Sequence, residues 1–159
     1  MVILLVIVPV FTAEITFKVI PGDYNTSTYV FSQNNKNIAS WNLTDDDSIA
    51  AQTGKVPNGI VRARDEKGKI FMELAIKNNQ LNGVCKEYYN TGDIHFLRKY
   101  KNNRLNGITR EFYQDGDLHF AWSYRDNKLD GDSLEYDEDG RLKGKFTYRK
   151  GVKEYIFYY

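Results

Sequence analysis

Residues 107–130 read Gly-Ile-Thr-Arg-Glu-Phe-Tyr-Gln-Asp-Gly-Asp-Leu-His-Phe-Ala-Trp-Ser-Tyr-Arg-Asp-Asn-Lys-Leu-Asp, and the same spacing returns on both sides of them. Gly59, Gly83, Gly107 and Gly131 stand 24 residues apart, as do Gly68, Gly92, Gly116 and Gly140. Other columns keep that register: Ile70, Ile94, Leu118 and Leu142; Ile76, Tyr100, Tyr124 and Tyr148; Asn79, Asn103 and Asn127. A period of this length marks one supersecondary unit stacked on copies of itself. Gln114-Asp115-Gly116 and its counterparts Glu66-Lys67-Gly68, Asn90-Thr91-Gly92 and Glu138-Asp139-Gly140 place two polar residues before a Gly free to take positive φ. That is the composition of a three-residue hairpin loop. The chain is therefore expected to be all-β: an elongated, twisted antiparallel meander of tandem 24-residue hairpins over 56–159, with a small β-rich N-terminal cap over 14–55.

The loop also predicts a pairing. Tyr88 is expected to face Ile94, Glu87 to face His95 and Lys86 to face Phe96; one unit later Phe112 faces Leu118 and Glu111 faces His119. Side chains alternate along a strand. One face is then expected to carry Val84, Lys86, Tyr88, Ile94, Phe96, Arg98 and Tyr100, followed by Ile108, Arg110, Phe112, Leu118, Phe120, Trp122 and Tyr124. Leu134, Tyr136, Leu142, Phe146 and Tyr148 continue it, and Ile60, Ile70, Met72, Leu74 and Ile76 begin it. The opposite face, with Glu87, His95, Thr109, Glu111, His119, Ser133 and Glu135, reads as wet. Each large apolar side chain gains about 1.5–3 kcal/mol on burial, so the first face needs a cover. The sheet's own twist, the 14–55 segment folded back, and a partner molecule are the three candidates.

Before the repeats, Glu14–Ile20, Thr28–Phe31 and Ile38–Leu43 read as short strands around Pro21-Gly22 and Asn34-Asn35-Lys36-Asn37. Asp45-Asp46-Asp47-Ser48 before Ile49-Ala50-Ala51 predicts a capped helical turn. Residues 1–13 are apolar and uncharged, too short to span a bilayer, and match the core of a secretory signal ending at Ala13. A signal implies export to the periplasm, the medium or the cell surface; the alternative reading of the run is a buried first strand of a cytoplasmic protein. Asn25-Thr26-Ser27 and Asn42-Leu43-Thr44 fit the glycosylation pattern, which matters only in a secreted eukaryotic chain.

Lys and Arg number 22 against 21 Asp and Glu, so nothing here is the clustered basic face that nucleic acid requires. A lone Cys85 excludes an internal disulfide or a cysteine zinc cluster, and its column partners Thr109 and Ser133 make it a small sheet residue. His95 and His119 share a column beside Glu87 and Glu111, which suits either a metal or an acid and base pair. Glu135 opposite Lys143 in the next copy keeps the charge pairing without the imidazole, favouring a plain cross-strand contact. No nucleophile motif or phosphate loop is present, so no enzyme activity, cofactor or metal is expected. The candidate partner-binding residues are the aromatics Tyr88, Phe96, Phe112, Phe120, Trp122 and Tyr124, with Tyr155 and Phe157 of the apolar C-terminal strand. That strand is expected either to pack within the chain or to pair with another by strand addition.

The unit Tyr100-Lys101-Asn102-Asn103-Arg104-Leu105-Asn106-Gly107, followed by Glu111-Phe112-Tyr113-Gln114-Asp115-Gly116-Asp117-Leu118, resembles the bacterial MORN-repeat variant. The copies over 81–100 and 129–148 agree with it. The resemblance implies an elongated hairpin sheet used for assembly and protein binding; one branch, the YwqK-like proteins, is described as antitoxins that neutralise a toxin by direct binding. The usual Gly of the Lys-Asn-Gly turn is replaced by Asn at Asn79, Asn103 and Asn127, a residue that also adopts positive φ.

Overall fold

Asparagine and glycine place the turns of this chain, and the turns place its strands. Asn34-Asn35, Asn78-Asn79, Asn102-Asn103, Asp126-Asn127 and Lys150-Gly151 all have positive φ, from 49° to 88°. A two-residue hairpin turn of type I′ needs that conformation at both positions, and Asn reaches it at the least cost of the residues bearing a Cβ. At the other end of each hairpin the three-residue loop forms as expected: Gly92 N–H donates to Tyr89 O and Tyr89 N–H to Asp93 O, both at 2.9 Å, with Gly92 at φ 107°.

The computed structural model describes residues 14–23, 26–44 and 48–158, so the apolar run 1–13 and the acidic run 45–47 lie outside the described residues. An N-terminal meander is built from β1 (Ile15–Pro21), β2 (Ser27–Gln33), β3 (Lys36–Leu43) and β4 (Ile49–Gly54). The first repeat hairpin is β5 (Gly59–Arg64) with β6 (Ile70–Lys77). Two-residue β7 (Gln80–Leu81) leads into β8 (Gly83–Tyr88) and β9 (Ile94–Lys101), and two-residue β10 (Arg104–Leu105) into β11 (Gly107–Phe112) and β12 (Leu118–Arg125). Two-residue β13 (Lys128–Leu129) precedes β14 (Gly131–Tyr136) and β15 (Leu142–Arg149), and β16 (Val152–Tyr158) follows. All belong to one sheet, not closed on itself, that runs from β16 through the repeats to β5, then β1, β2, β3 and β4. Among the described residues only β1 and β5 pair in parallel, at Thr16 with Arg62 and Phe17 with Ala63. The helical turn expected at 49–51 is instead strand, because Ile49–Gly54 completes the ladder along β3, with Asn42 opposite Ala51 and Trp41 opposite Gln52.

The expected pairing holds for one step past the loop and then fails. Tyr88 faces Ile94, but Glu87 faces Phe96, Lys86 faces Leu97 and Cys85 faces Arg98, leaving His95 as an extra residue. The same bulge recurs at Phe71, His119 and Lys143. A bulge sets two residues against one, and with a side-chain period of two a one-residue slip exchanges the faces of everything beyond it. Val84 and Ile108 are accordingly 46% and 43% exposed, while Cys85, Thr109 and Ser133 are buried at 5%, 5% and 2%. The inner face thus combines Cys85, Glu87, Phe96, Arg98 and Tyr100 with their counterparts, whereas Tyr88, Phe112, Tyr136 and Ile60 stand on the outer one. The expected division into an apolar and a wet face is replaced by two mixed faces.

The cover for the first repeats is the N-terminal meander. Phe17, Tyr29, Phe31, Ala39, Trp41 and Leu43 are buried in one cluster with Val61, Leu74, Leu81, Cys85 and Tyr100. Phe31 and Trp41 pack with ring centroids 4.7 Å apart, and Phe17 lies 5.2 Å from Tyr29 and 5.5 Å from Phe31. Val19, Tyr29 and Leu43 line one side of a cavity of about 270 Å³ whose other side is Leu74, Cys85, Arg98 and Tyr100, so the sheet curls its first four strands over β6, β8 and β9. Burial pushes the Cys85 thiol up to about 11, and its Sγ accepts a hydrogen bond from Ala75 N–H.

Two side-chain ladders stitch repeat to repeat. On the turn edge, Asn103 N–H donates to Leu81 O at 2.9 Å while Asn103 Oδ1 accepts from Leu81 N–H at 2.6 Å. Asn127 does the same to Leu105, and Asn79 Oδ1 accepts from Val56 N–H. On the loop edge, Tyr89 Oη donates to Phe112 O at 2.6 Å and Tyr113 Oη to Tyr136 O at 2.9 Å.

Candidate partner-binding face

The N-terminal segment touches the later repeats at their turn edge, where Asn127 Nδ2 donates to Ser48 Oγ at 3.1 Å, and their inner face carries large rings that stay half-buried. The bulges create this surface, because a bulge turns two consecutive side chains toward one side. His95 and Phe96 have centroids 4.1 Å apart, and Tyr89 stacks on His95 at 4.2 Å and 27°. The next unit repeats the arrangement with Tyr113, His119 and Phe120, and Phe120 then stacks on Trp122 at 4.9 Å and 8°. The Arg98 guanidinium lies 4.2 Å from the Phe96 ring centre, and the Lys153 ammonium 4.9 Å from that of Phe146. Small residues beneath make room: Thr109 is opposite Trp122 and Ser133 opposite Phe146.

Carboxylates alternate with the rings across the sheet. Glu87 faces Phe96, Phe96 faces Glu111, Glu111 faces Phe120 and Phe120 faces Glu135. Glu87 is held by Arg98 Nη1 at 2.6 Å and Glu135 by Lys143 Nζ at 2.8 Å. Glu111 Oε1 stands 3.6 Å from His95 Nε2 and 3.7 Å from His119 Nδ1, beyond hydrogen-bond length. Among the described residues no group of three His, Cys, Asp or Glu side chains is arranged to hold a metal ion.

Of the residues expected to bind a partner, the structure brings Phe96, Phe120, Trp122 and Tyr124 together on this face. Tyr88 and Phe112 are separated from them by the bulge, and Tyr88 Oη instead donates to Glu73 on the outer face. Tyr155 and Phe157 lie on β16 opposite Thr147 and Lys145, also outward, and are 62% and 53% exposed. The stacked pairs Tyr89 with His95 and Tyr113 with His119 were not among the expected binding residues. Their signal in the sequence is the adjacent ring pair at 95–96 and 119–120, which no regular strand can place on one side.

Thr109 Oγ1 and Ser133 Oγ are buried without a hydrogen-bond partner. Removing a buried, unpaired hydroxyl while keeping the shape is neutral to stabilising. Thr109→Val and Ser133→Ala are expected to raise the unfolding free energy by up to about 1 kcal/mol each. Urea melts check this; a loss of stability in both would contradict the assignment.

Residues 81–102 and 129–150 match the family model described as MORN repeat variant. No curated protein matches the chain. The first matched stretch runs from β7 to the Asn102-Asn103 turn and the second from β13 to the Lys150-Gly151 turn, so each is one hairpin with its stitching turn. Residues 105–126 keep the same columns between them. MORN repeats are in general protein-interaction modules, which makes repeat-based binding or scaffolding the coarse function these hairpins point to.

Proposed function

We propose that this chain is a non-enzymatic protein-binding module of an exported scaffold, and that its partner docks on the inner face of the later repeats, where the described residues leave large rings half-buried. The observation that carries the reading is the contrast along one face. Trp41, Phe31 and Leu81 are sealed at its covered end, while Phe96, Phe120, Trp122 and Phe146 are only half-buried beyond it. Partly accessible aromatics on a rigid sheet are the usual anchors of an interface. Affinity capture from the native host tests it, with the parent chain beside a Phe120→Ala, Trp122→Ala double variant whose circular dichroism shows it folded. The parent is expected to retain a specific protein that the variant loses, a loss of about 2 kcal/mol or more in binding. Equal retention by both would remove the face from the interaction. Export rests on the apolar run before Glu14, and N-terminal sequencing of the native protein is expected to begin at that residue.

A second observation favours self-association. β16 ends the sheet, and Val152, Tyr155, Ile156, Phe157 and Tyr158 on it are 45–75% exposed. An apolar edge strand with few charges is a template for strand addition. Sedimentation velocity is expected to show an oligomer that disappears when residues 154–159 are removed; an unchanged distribution would exclude this edge.

A further inference from the structure

The proposed face has a step length, and that length discriminates among ligands. Along the row Glu87, Phe96, Glu111, Phe120, Glu135 a ring and a carboxylate each return once every two strands. At the usual strand spacing that interval is about 9.4–9.8 Å. A ligand lying across the strands meets equivalent walls only if its own repeat matches. Polyproline II advances about 3.1 Å per residue with three residues per turn, about 9.3 Å in all. An extended strand shows the same side every 6.4–6.8 Å or so. Two turns of α-helix take about 10.8 Å, overshooting by about 1 Å per repeat.

The chemistry of the row agrees with its length. Proline-rich segments dock on aromatic-lined grooves because their conformation is already set, and here each ring pair walls one step. The carboxylate between two such steps is Glu111. Its neighbours are two imidazoles at 3.6 and 3.7 Å, neither carrying the permanent charge that Arg98 brings to Glu87 or Lys143 to Glu135. A cation arriving with the ligand therefore has its complement at the centre of the row, where a charge-assisted hydrogen bond forms.

We propose that the inner face of the later repeats binds a proline-rich segment in the polyproline II conformation, running across the strands, with Arg or Lys at every third position and one such side chain on Glu111. This rests on the reading of that face as the partner site and names the partner's chemical class.

The test titrates a synthetic peptide of four Pro-Pro-Arg triplets into the full chain, followed by calorimetry and by tryptophan fluorescence, to which Trp41 and Trp122 both contribute. The comparators are four Gly-Gly-Arg triplets, an amphipathic helical peptide of equal charge and a chitin oligosaccharide. The Pro-Pro-Arg peptide is expected to bind with a Kd of about 100 μM or tighter, the Gly-Gly-Arg peptide about tenfold more weakly or worse. Glu111→Gln, close to isosteric, is expected to weaken the Pro-Pro-Arg peptide by about tenfold. Equal affinity for the two peptides would reduce the effect to charge and overturn the proposal, as would tighter binding of the helix or the sugar, or indifference to Glu111→Gln. If capture of a native partner depends on Phe120 and Trp122 while the Pro-Pro-Arg peptide fails to bind, the ligand class is wrong and the face still stands. If both fail, the face is wrong as well.

Discussion

Trp41→Ala is expected to lower the unfolding free energy by about 3–5 kcal/mol. The indole is fully buried at 0% exposure, packs against Phe31 with the ring planes tilted at 58°, and belongs to the cluster that fastens β1–β4 over the first repeats. Against a total stability of about 5–15 kcal/mol for a domain, that loss is a large share. Trp41→Phe separates packing from polarity. The indole Nε1 has no hydrogen-bond partner, so Phe surrenders some volume but no hydrogen bond, and a cost below about 1.5 kcal/mol is expected. Urea denaturation followed by circular dichroism measures both. A Trp41→Ala loss under about 1.5 kcal/mol would mean that the cap does not hold the fold in the way its burial implies.

Asn103→Ala is the second large effect, at about 2–4 kcal/mol. Two separable losses add. Leu81 N–H, on a residue only 2% exposed, forfeits its acceptor, and Ala must sit at the φ of 64° that Asn tolerates. Asn103→Gly keeps the backbone freedom and loses only the acceptor, so it is expected to fall between parent and Ala; Asn103→Asp retains an acceptor oxygen and should lie close to the parent. The last copy offers the converse. Gly151 donates to Leu129 O at 2.7 Å but has no side chain to accept from Leu129 N–H, and a Cβ there would meet its nearest neighbour, Lys128 Cβ, at an ordinary 4.0 Å. Gly151→Asn is expected to add that acceptor, but a side chain at φ 88° is strained, and the two effects are expected to offset each other to within about 1 kcal/mol. A series in which Gly matched Asn at 103 would show that the Asn side chain there contributes conformation alone.

The hairpins were legible because turns are local. Positive φ at Asn102 and Asn103, and at Gly92 after two polar residues, is a demand that short stretches of chain state by themselves. The period then carried the reading from one unit to the next. The bulge at His95 was not legible in the same way, although the adjacent rings of His95 and Phe96 are its trace. Whether the ladder slips there depends on what the other strand and the cap will accept. The expected partner-binding residues are divided accordingly: Phe96, Phe120, Trp122 and Tyr124 share one face, whereas Tyr88 and Phe112 stand on the other, because side-chain parity changes at the bulge.

The amino-acid order alone determined a stack of hairpins with a 24-residue step, matched over 81–102 and 129–150 by the MORN repeat variant. Loop closure over three residues and stitching by Asn require nothing beyond neighbours in the chain or one repeat away. Only the tertiary structure decided which side of the sheet is covered and where the cover stops. Those depend on Phe17, Phe31 and Trp41 meeting Leu74, Leu81 and Tyr100 across long stretches of sequence, and burying apolar area is non-directional, so it acts on whichever faces the register has already brought together.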